Sequence, residues 1–206
     1  MSGAGARDIA RVHEALRLLS DPPTSPGWNA DELADLWPQG KPLRPAAVLV
    51  PIICRGDALS MLFTRRNEKL RQHAGQVSFP GGAIDAGDAD AVAAALRETR
   101  EETGIAPNFV EPLGYLDQLH TISGFSVSPV VALVHEGFQL APDPDEVAEV
   151  FEVPMPFILS PDRLRCEQVV WRGRPRMIFE FDYAGQRIWG ATASILHNFI
   201  NRLERV

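Results

Sequence analysis

The chain has 206 residues, 45% hydrophobic and 23% charged, a usage that excludes a disordered tail, a collagen-like chain or a coiled coil and predicts one domain with a decorated N-terminus. Twenty Lys and Arg against 27 Asp and Glu give a formal net charge of -7, so nucleic acid and an anionic membrane are not expected as partners. An anionic small molecule stays open, provided that the basic residues are gathered in one place.

In chain order, the first twenty residues carry acids and lack an apolar run followed by a small-residue cleavage site, so they do not read as a signal peptide. No window approaches the roughly 20 apolar residues of a membrane span, and a cytoplasmic protein is the expectation. Ile9, Val12, Leu16 and Leu19 recur at helical spacing, and Pro22, Pro23, Pro26 and Gly27 close that segment. A second short helix is expected from Asp31 to Trp37, after which Pro38, Gly40, Pro42 and Pro45 lead into a strand. Residues 1–42 therefore read as a helical extension and 43–206 as the compact domain.

The run AAVLVPIIC has the near-continuous apolar character of a strand covered on both faces, and Arg55-Gly56-Asp57 reads as a hairpin turn into LSMLFTRR. Residues 88–103 form the clearest helix, ended by Gly104, with Ala89, Val92, Leu96, Thr99 and Thr103 as its packing stripe. Strand-like runs follow at FVEPLGYLDQL, SVSPVVALV, VAEVFEV, CEQVVWRG and MIFEFDY, and IWGATASILHNFINRLERV reads as a closing helix. This order fits an α/β (α+β) sandwich, a mixed sheet packed between helices. Cys54 and Cys166 lie far apart without metal-ligand spacing and read as buried small hydrophobes.

The chemistry concentrates on the helix over 88–103. At about 100° per residue, Glu98, Glu101 and Glu102 share an arc of about 100°, and like charges this close repel unless a hard divalent cation sits among their oxygens. Gly81 and Gly82, upstream, permit a backbone carbonyl to turn toward the same cation. Arg97, four residues before Glu101, is placed to orient that carboxylate. Upstream again, Arg65, Arg66, Lys69 and Arg71 fall within seven residues with only Glu68 opposing them, which suits a phosphorylated ligand because arginine binds phosphate bidentately. His73, Gln76 and Ser78 are further candidates for substrate contact, and Glu146 or Glu149, after PDPD, for a metal or water role.

These residues resemble the Nudix hydrolases, whose signature runs Gly, five residues, Glu, seven residues, then Arg-Glu-U-x-Glu-Glu-x-Gly-U, with U aliphatic. Arg97-Glu98-Thr99-Arg100-Glu101-Glu102-Thr103-Gly104-Ile105 matches its second half, with Thr99 in place of an aliphatic residue. From Gly82 the first Glu falls on Asp88, with eight residues rather than seven between it and Arg97. A second stretch, Leu62-Phe63-Thr64-Arg65-Arg66-Asn67 with Arg71, Gly75 and Phe79-Pro80-Gly81-Gly82, is similar to the upstream motif of the coenzyme A pyrophosphatase-like branch, departing at Phe63, Arg66 and Asn67.

The resemblance implies a Nudix fold and a pyrophosphohydrolase dependent on Mg²⁺ or Mn²⁺. Glu98, Glu101, Glu102 and the Gly82 carbonyl would be the metal ligands, and Arg97 with the three glutamates the catalytic set. Arg65, Arg66, Arg71, Gly75 and Phe79 would bind a diphosphate substrate of the coenzyme A kind, in a monomer or homodimer. Other nucleoside diphosphate derivatives, such as ADP-sugars, dinucleoside polyphosphates and nucleoside triphosphates, form the alternative substrate set, and a nucleotide-sensing module without catalysis the alternative class.

Overall fold

The computed structural model describes residues 3–24, 26–37 and 42–206, so Pro38 and Gly40 lie outside the described residues. Helix α1 spans Gly3–Ala15 and α2 spans Ala30–Leu33. Strands β1 (Arg44–Arg55) and β2 (Ala58–Arg66) form the expected hairpin, turned at Gly56 with φ 59°. Short strands β3 (Val77–Ser78) and β4 (Gly81–Ala83) precede helix α3 (Ala91–Thr103). Then come β5 (Val110–Tyr115), β6 (Leu119–His120), β7 (Phe125–Val134), β8 (Val147–Pro154) and the short α4 (Met155–Ile158). Strands β9 (Arg165–Trp171), β10 (Arg174–Tyr183) and β11 (Gln186–Trp189) lead to helix α5 (Ala191–Leu203).

The main sheet runs β3-β2-β1-β7-β5, with β4 on β1, β6 on β7 and β8 on β2. β1 and β7 are parallel, from Arg44↔Phe125 to Ile53↔Val134, and the other pairings are antiparallel, so the sheet is mixed as expected. β9, β10 and β11 form a separate antiparallel sheet.

Strand alternation explains the apolar run of β1. Ala46, Val50, Ile52 and Cys54 join a core containing Val12, Ala15 and Leu16 from the α1 segment and Ile195, Leu196, Phe199 and Leu203 from α5. Ala47, Leu49 and Ile53 point to the other face, against Ala94 and Ala95 of α3. With both faces covered, no position of the strand centre has a reason to be polar.

Several expectations need correction. Leu19 lies beyond the end of α1 and is 41% exposed, so the N-terminal helix is shorter than its periodicity, although Val12 and Leu16 do bury. α2 stops at Leu33 rather than Trp37. Residues 88–90 are not helical: Asp90 is the N-cap of α3, its side chain accepting from the Ala93 N–H at 2.8 Å. Ala89 is consequently exposed, and the buried stripe is Ala94, Ala95, Thr99, Glu102 and Thr103. The Thr99 and Thr103 hydroxyls donate to the Ala95 and Thr99 carbonyls at 2.7 and 2.6 Å, which lets threonine occupy a buried position. The closing segment is broken at Gly190, with φ 61°, so Ile188 and Trp189 belong to β11. Cys54 is buried, whereas Cys166 is exposed on β9.

Candidate active site

The site is assembled where α3 crosses the β1–β4 pair. Gly81 lies opposite Val48, and a side chain there would meet the Ala47 carbonyl oxygen at 2.4 Å, so only glycine allows β4 to lie this close to β1. Gly82 comes next, and a Cβ on it would stand 2.5 Å from Glu98 Oε1. The glycine pair therefore brings backbone directly under a carboxylate of α3.

Three glutamates project from α3 at different depths. Glu102 is 3% exposed and its Oε2 has no hydrogen-bond partner. Burial pushes its proton affinity up to about 8, opposed by Arg66 and by the Gly81 N–H and reinforced by the charges of Glu98 and Glu146. Glu98 is raised as well, by burial first, with Arg97 pulling the other way. Glu101 is largely solvent-exposed.

Arg97 is the hub that holds this charge together. Its guanidinium donates to Asp88 through Nε at 3.0 Å and Nη2 at 2.9 Å, to Glu98 at 2.9 Å, to Glu101 at 3.0 Å and to the Ala83 carbonyl at 3.2 Å. Bonds to Asp88 and Glu98 raise its proton affinity further, so it is permanently charged. Asp88 is in turn held below the usual carboxylate range by Arg97 and also accepts from the Asp85 N–H at 2.9 Å. With its oxygens committed this way, Asp88 is a brace for Arg97 rather than a metal ligand. Asp88→Asn should lower Mn²⁺ affinity or turnover about 10- to 100-fold while leaving the protein folded. A Mn²⁺ titration beside kinetics checks this, and an unchanged affinity with unchanged kcat would confine Asp88 to its turn.

A fourth carboxylate arrives from a distant loop. The Ala141 and Asp143 N–H groups donate to the Thr103 and Glu102 carbonyls at 2.9 and 3.2 Å, and Asn67 N donates to the Glu146 carbonyl at 2.8 Å. This lacing of residues 141–147 to the end of α3 and to β2 sets exposed Glu146 within electrostatic reach of Glu98 and Glu102. Glu149 is employed differently, accepting from Arg65 Nε at 3.2 Å and from Gln186 Nε2 at 2.9 Å.

The upstream basic cluster divides. Arg66 reaches the α3 face, its Nη1 3.9 Å from Glu102 Oε1. Arg65 points to the other face, to Glu149 and Glu68, and does not join the carboxylates. Arg71 is exposed and, among the described residues, is in no ion pair. Gly75, with φ 68°, shapes the return turn, where its N–H donates to the Arg66 carbonyl and a Cβ would strike the Glu68 carboxylate. His73 is exposed and bonds Gln76 at 2.9 Å. Phe79 is 3% exposed and stacked on Phe63 with ring centroids 4.8 Å apart, so it packs the core and is closed to substrate.

Among the described residues, no three carboxylate, imidazole or thiolate side chains are closed around one point. The donor chemistry nonetheless fits a hard divalent cation: carboxylate oxygens, one of them buried and orphaned, beside a glycine backbone that can supply a carbonyl. Glu98, Glu102 and the Gly82 carbonyl would hold it, with Glu101 and Glu146 at the open side.

A family model of the NUDIX domain matches residues 43–174. The chain is 42% identical over 161 residues to a protein of Photorhabdus laumondii described as "Uncharacterized Nudix hydrolase NudL", covering 78% of this chain and 86% of that one. A protein of Pectobacterium atrosepticum with the same description is 44% identical over 154 residues, covering 75% and 80%. Among solved structures, the MutT protein from Methanosarcina mazei matches with a TM-score of 0.51 at 19% identity, covering 82% of this chain and 97% of that one. A MutT/nudix family protein from Enterococcus faecalis also gives 0.51, at 18% identity, covering 85% and 69%. These last two likenesses are of fold.

Proposed function

This chain belongs to the Nudix hydrolase family, and on that premise we propose that it hydrolyses the diphosphate of coenzyme A or acyl-CoA to 3′,5′-ADP and (acyl-)4′-phosphopantetheine. The observation that carries the reaction type is Glu102 itself, a buried carboxylate with one oxygen unpartnered, one helical turn from Glu98, whose carboxylate lies over Gly82 of β4. The substrate assignment rests on the spacing of Arg71, Gly75 and Phe79-Pro80-Gly81-Gly82, similar to the coenzyme A pyrophosphatase-like branch.

A divalent cation, Mg²⁺ or Mn²⁺, supplies the positive charge that offsets the charge building on the phosphoryl oxygens. Arg66 and Arg71 bind the diphosphate oxygens, and Arg97 keeps Glu98 and Glu101 turned toward the site. Glu146, exposed at the open side of the carboxylate cluster, takes the proton from the attacking water at a carboxylate oxygen. Arg65 fixes the edge of the site through Glu149 and Gln186.

The test is chromatographic product analysis with coenzyme A, acetyl-CoA, ADP-ribose, diadenosine polyphosphates and dGTP, each with Mg²⁺, Mn²⁺ or EDTA. Release of 3′,5′-ADP from coenzyme A, abolished by EDTA, is the expected result. Cleavage of another member would keep the carboxylate roles and replace the substrate. No cleavage of any member would favour a nucleotide-sensing module.

A further inference from the structure

Several arginine–carboxylate contacts elsewhere in the molecule are built with good hydrogen bonds. Arg55 grips Glu152 through two nitrogens at 2.5 and 2.7 Å, Arg176 donates to both oxygens of Asp35 at 2.8 Å, and Arg97 forks onto Asp88. The pair deepest in the site is not built this way, and unlike the other long contacts, Arg65–Glu68 at 3.6 Å, Arg97–Asp85 at 3.7 Å and Arg174–Asp35 at 3.7 Å, it has a buried carboxylate. Arg66 Nη1 lies 3.9 Å from Glu102 Oε1, too far for a hydrogen bond, and both Arg66 Nε and Glu102 Oε2 are buried without partners. A buried ion pair with two orphaned atoms is a poor structural element, because desolvation is repaid only by good geometry.

The backbone at Arg66 is nevertheless firmly fixed. Its N–H donates to the Gln76 carbonyl at 3.0 Å and its carbonyl accepts from Gly75 N at 3.2 Å. The β2–β8 register shifts between Arg65 and Arg66, and Thr64, the last even-numbered residue before it, is buried. The anchored strand thus presents a long, loosely held cation to Glu102, and the side chain is 28% exposed on its outer side.

We propose that Arg66 is a built-in competitor for the metal: its guanidinium faces Glu102 in the metal-free protein, balances that carboxylate whenever it is ionised, and is released to the substrate diphosphate when a divalent cation takes it. The competition places like charges against one another, so Arg66 weakens metal binding while no anion is present. A phosphate group that engages Arg66 removes that opposition, and metal and substrate thereby strengthen each other's binding by the same factor. Each ligand would then bind more tightly in the presence of the other. This inference rests on the metal-site reading above and adds a regulation of it.

The experiment is a Mn²⁺ titration of the full chain, followed by electron paramagnetic resonance, for the wild type, Arg66→Met and Arg66→Lys, with and without inorganic phosphate as the probe anion. Arg66→Met should bind Mn²⁺ about tenfold tighter than the wild type without phosphate, lose the tightening that phosphate gives, and show a raised KM for whichever diphosphate is cleaved. Arg66→Lys, which keeps the charge, should stay near the wild type in Mn²⁺ affinity. A merely structural arginine would give the opposite sign, weaker Mn²⁺ binding in Arg66→Met, and that result, or an unchanged affinity in a folded variant, overturns the proposal. Should Arg66→Met fail to fold, Arg66→Gln carries the same comparison. Absence of Mn²⁺ binding to the wild type would instead overturn the metal-site reading. A Mn²⁺ effect of the expected sign, without cleavage of any diphosphate, would support the competition and reject the hydrolytic assignment.

Discussion

Replacing Glu102 with Gln is expected to abolish metal-dependent turnover, by at least about 100-fold, and at the same time to make the metal-free protein more stable at alkaline pH. Both effects come from one buried carboxyl. In the folded protein Glu102 holds its proton up to about pH 8, whereas a free glutamate side chain loses it near pH 4.5. Between those values the native state carries a proton that the unfolded chain has released, so stability falls as pH rises through that window. It is fully present below about 4.5 and lost above about 8, and the amount at stake is on the order of 5 kcal/mol at most. Glutamine removes the dependence and keeps the shape. Thermal denaturation in EDTA at pH 5 and pH 9 should therefore show the wild type losing more melting temperature than Glu102→Gln on going alkaline. Added Mn²⁺ should restore the wild type at pH 9 by mass action and leave the variant unmoved. A variant that loses stability with pH as steeply as the wild type, or that still cleaves diphosphates, would remove Glu102 from the metal site.

Much of that site is legible in the sequence, and the reason is that helices and neighbouring glycines are short-range features. Glu98, Glu101 and Glu102 share an arc because of residue spacing alone, and the Gly104 terminator is set by local chemistry, whereas the helix starts after Asp90 rather than at residue 88 as its composition suggests. What depends on long-range pairing is harder to read. Arg65 and Arg66 are adjacent in the chain and look like one basic cluster, yet on a strand adjacent side chains leave by opposite faces, so one meets Glu149 and the other Glu102. Glu146 and Glu149 look equivalent beyond PDPD, and only the bonds from residues 141–147 to α3 separate them. Phe79 lies inside a binding motif, but Phe63 claims its ring. β3 and β4, with two and three residues, are too short to carry any periodicity. Asp88 sits where a metal-binding acid is expected, and nothing in its position along the chain reveals that Arg97 folds back onto it.

The two adjacent glycines should respond very differently to alanine, because one touches backbone and the other a movable side chain. At Gly81 the new Cβ would stand 2.4 Å from the Ala47 carbonyl oxygen and 2.6 Å from Val48 Cα, with φ at 157° in a region that side chains rarely adopt. Neither contact can yield without parting β4 from β1, so Gly81→Ala should cost on the order of 3 kcal/mol or more, about 10 °C in melting temperature for a chain of this size. Activity should fall with it, since β4 also carries Gly82 and the Ala83 carbonyl that receives Arg97. At Gly82 φ is not positive, and the Cβ would meet Glu98 Oε1 at 2.5 Å, the free end of a side chain that can swing aside. Gly82→Ala should therefore melt within about 2 °C of the wild type and yet lose about 100-fold in turnover, because a carboxylate displaced by about 1 Å is enough to spoil the site. Gly87→Ala, with nothing within 4 Å, serves as the neutral control. Melting curves and kcat measured on the three variants together decide the matter: equal losses of stability at Gly81 and Gly82 would mean that Gly82 is needed by the strand and not by the carboxylate above it.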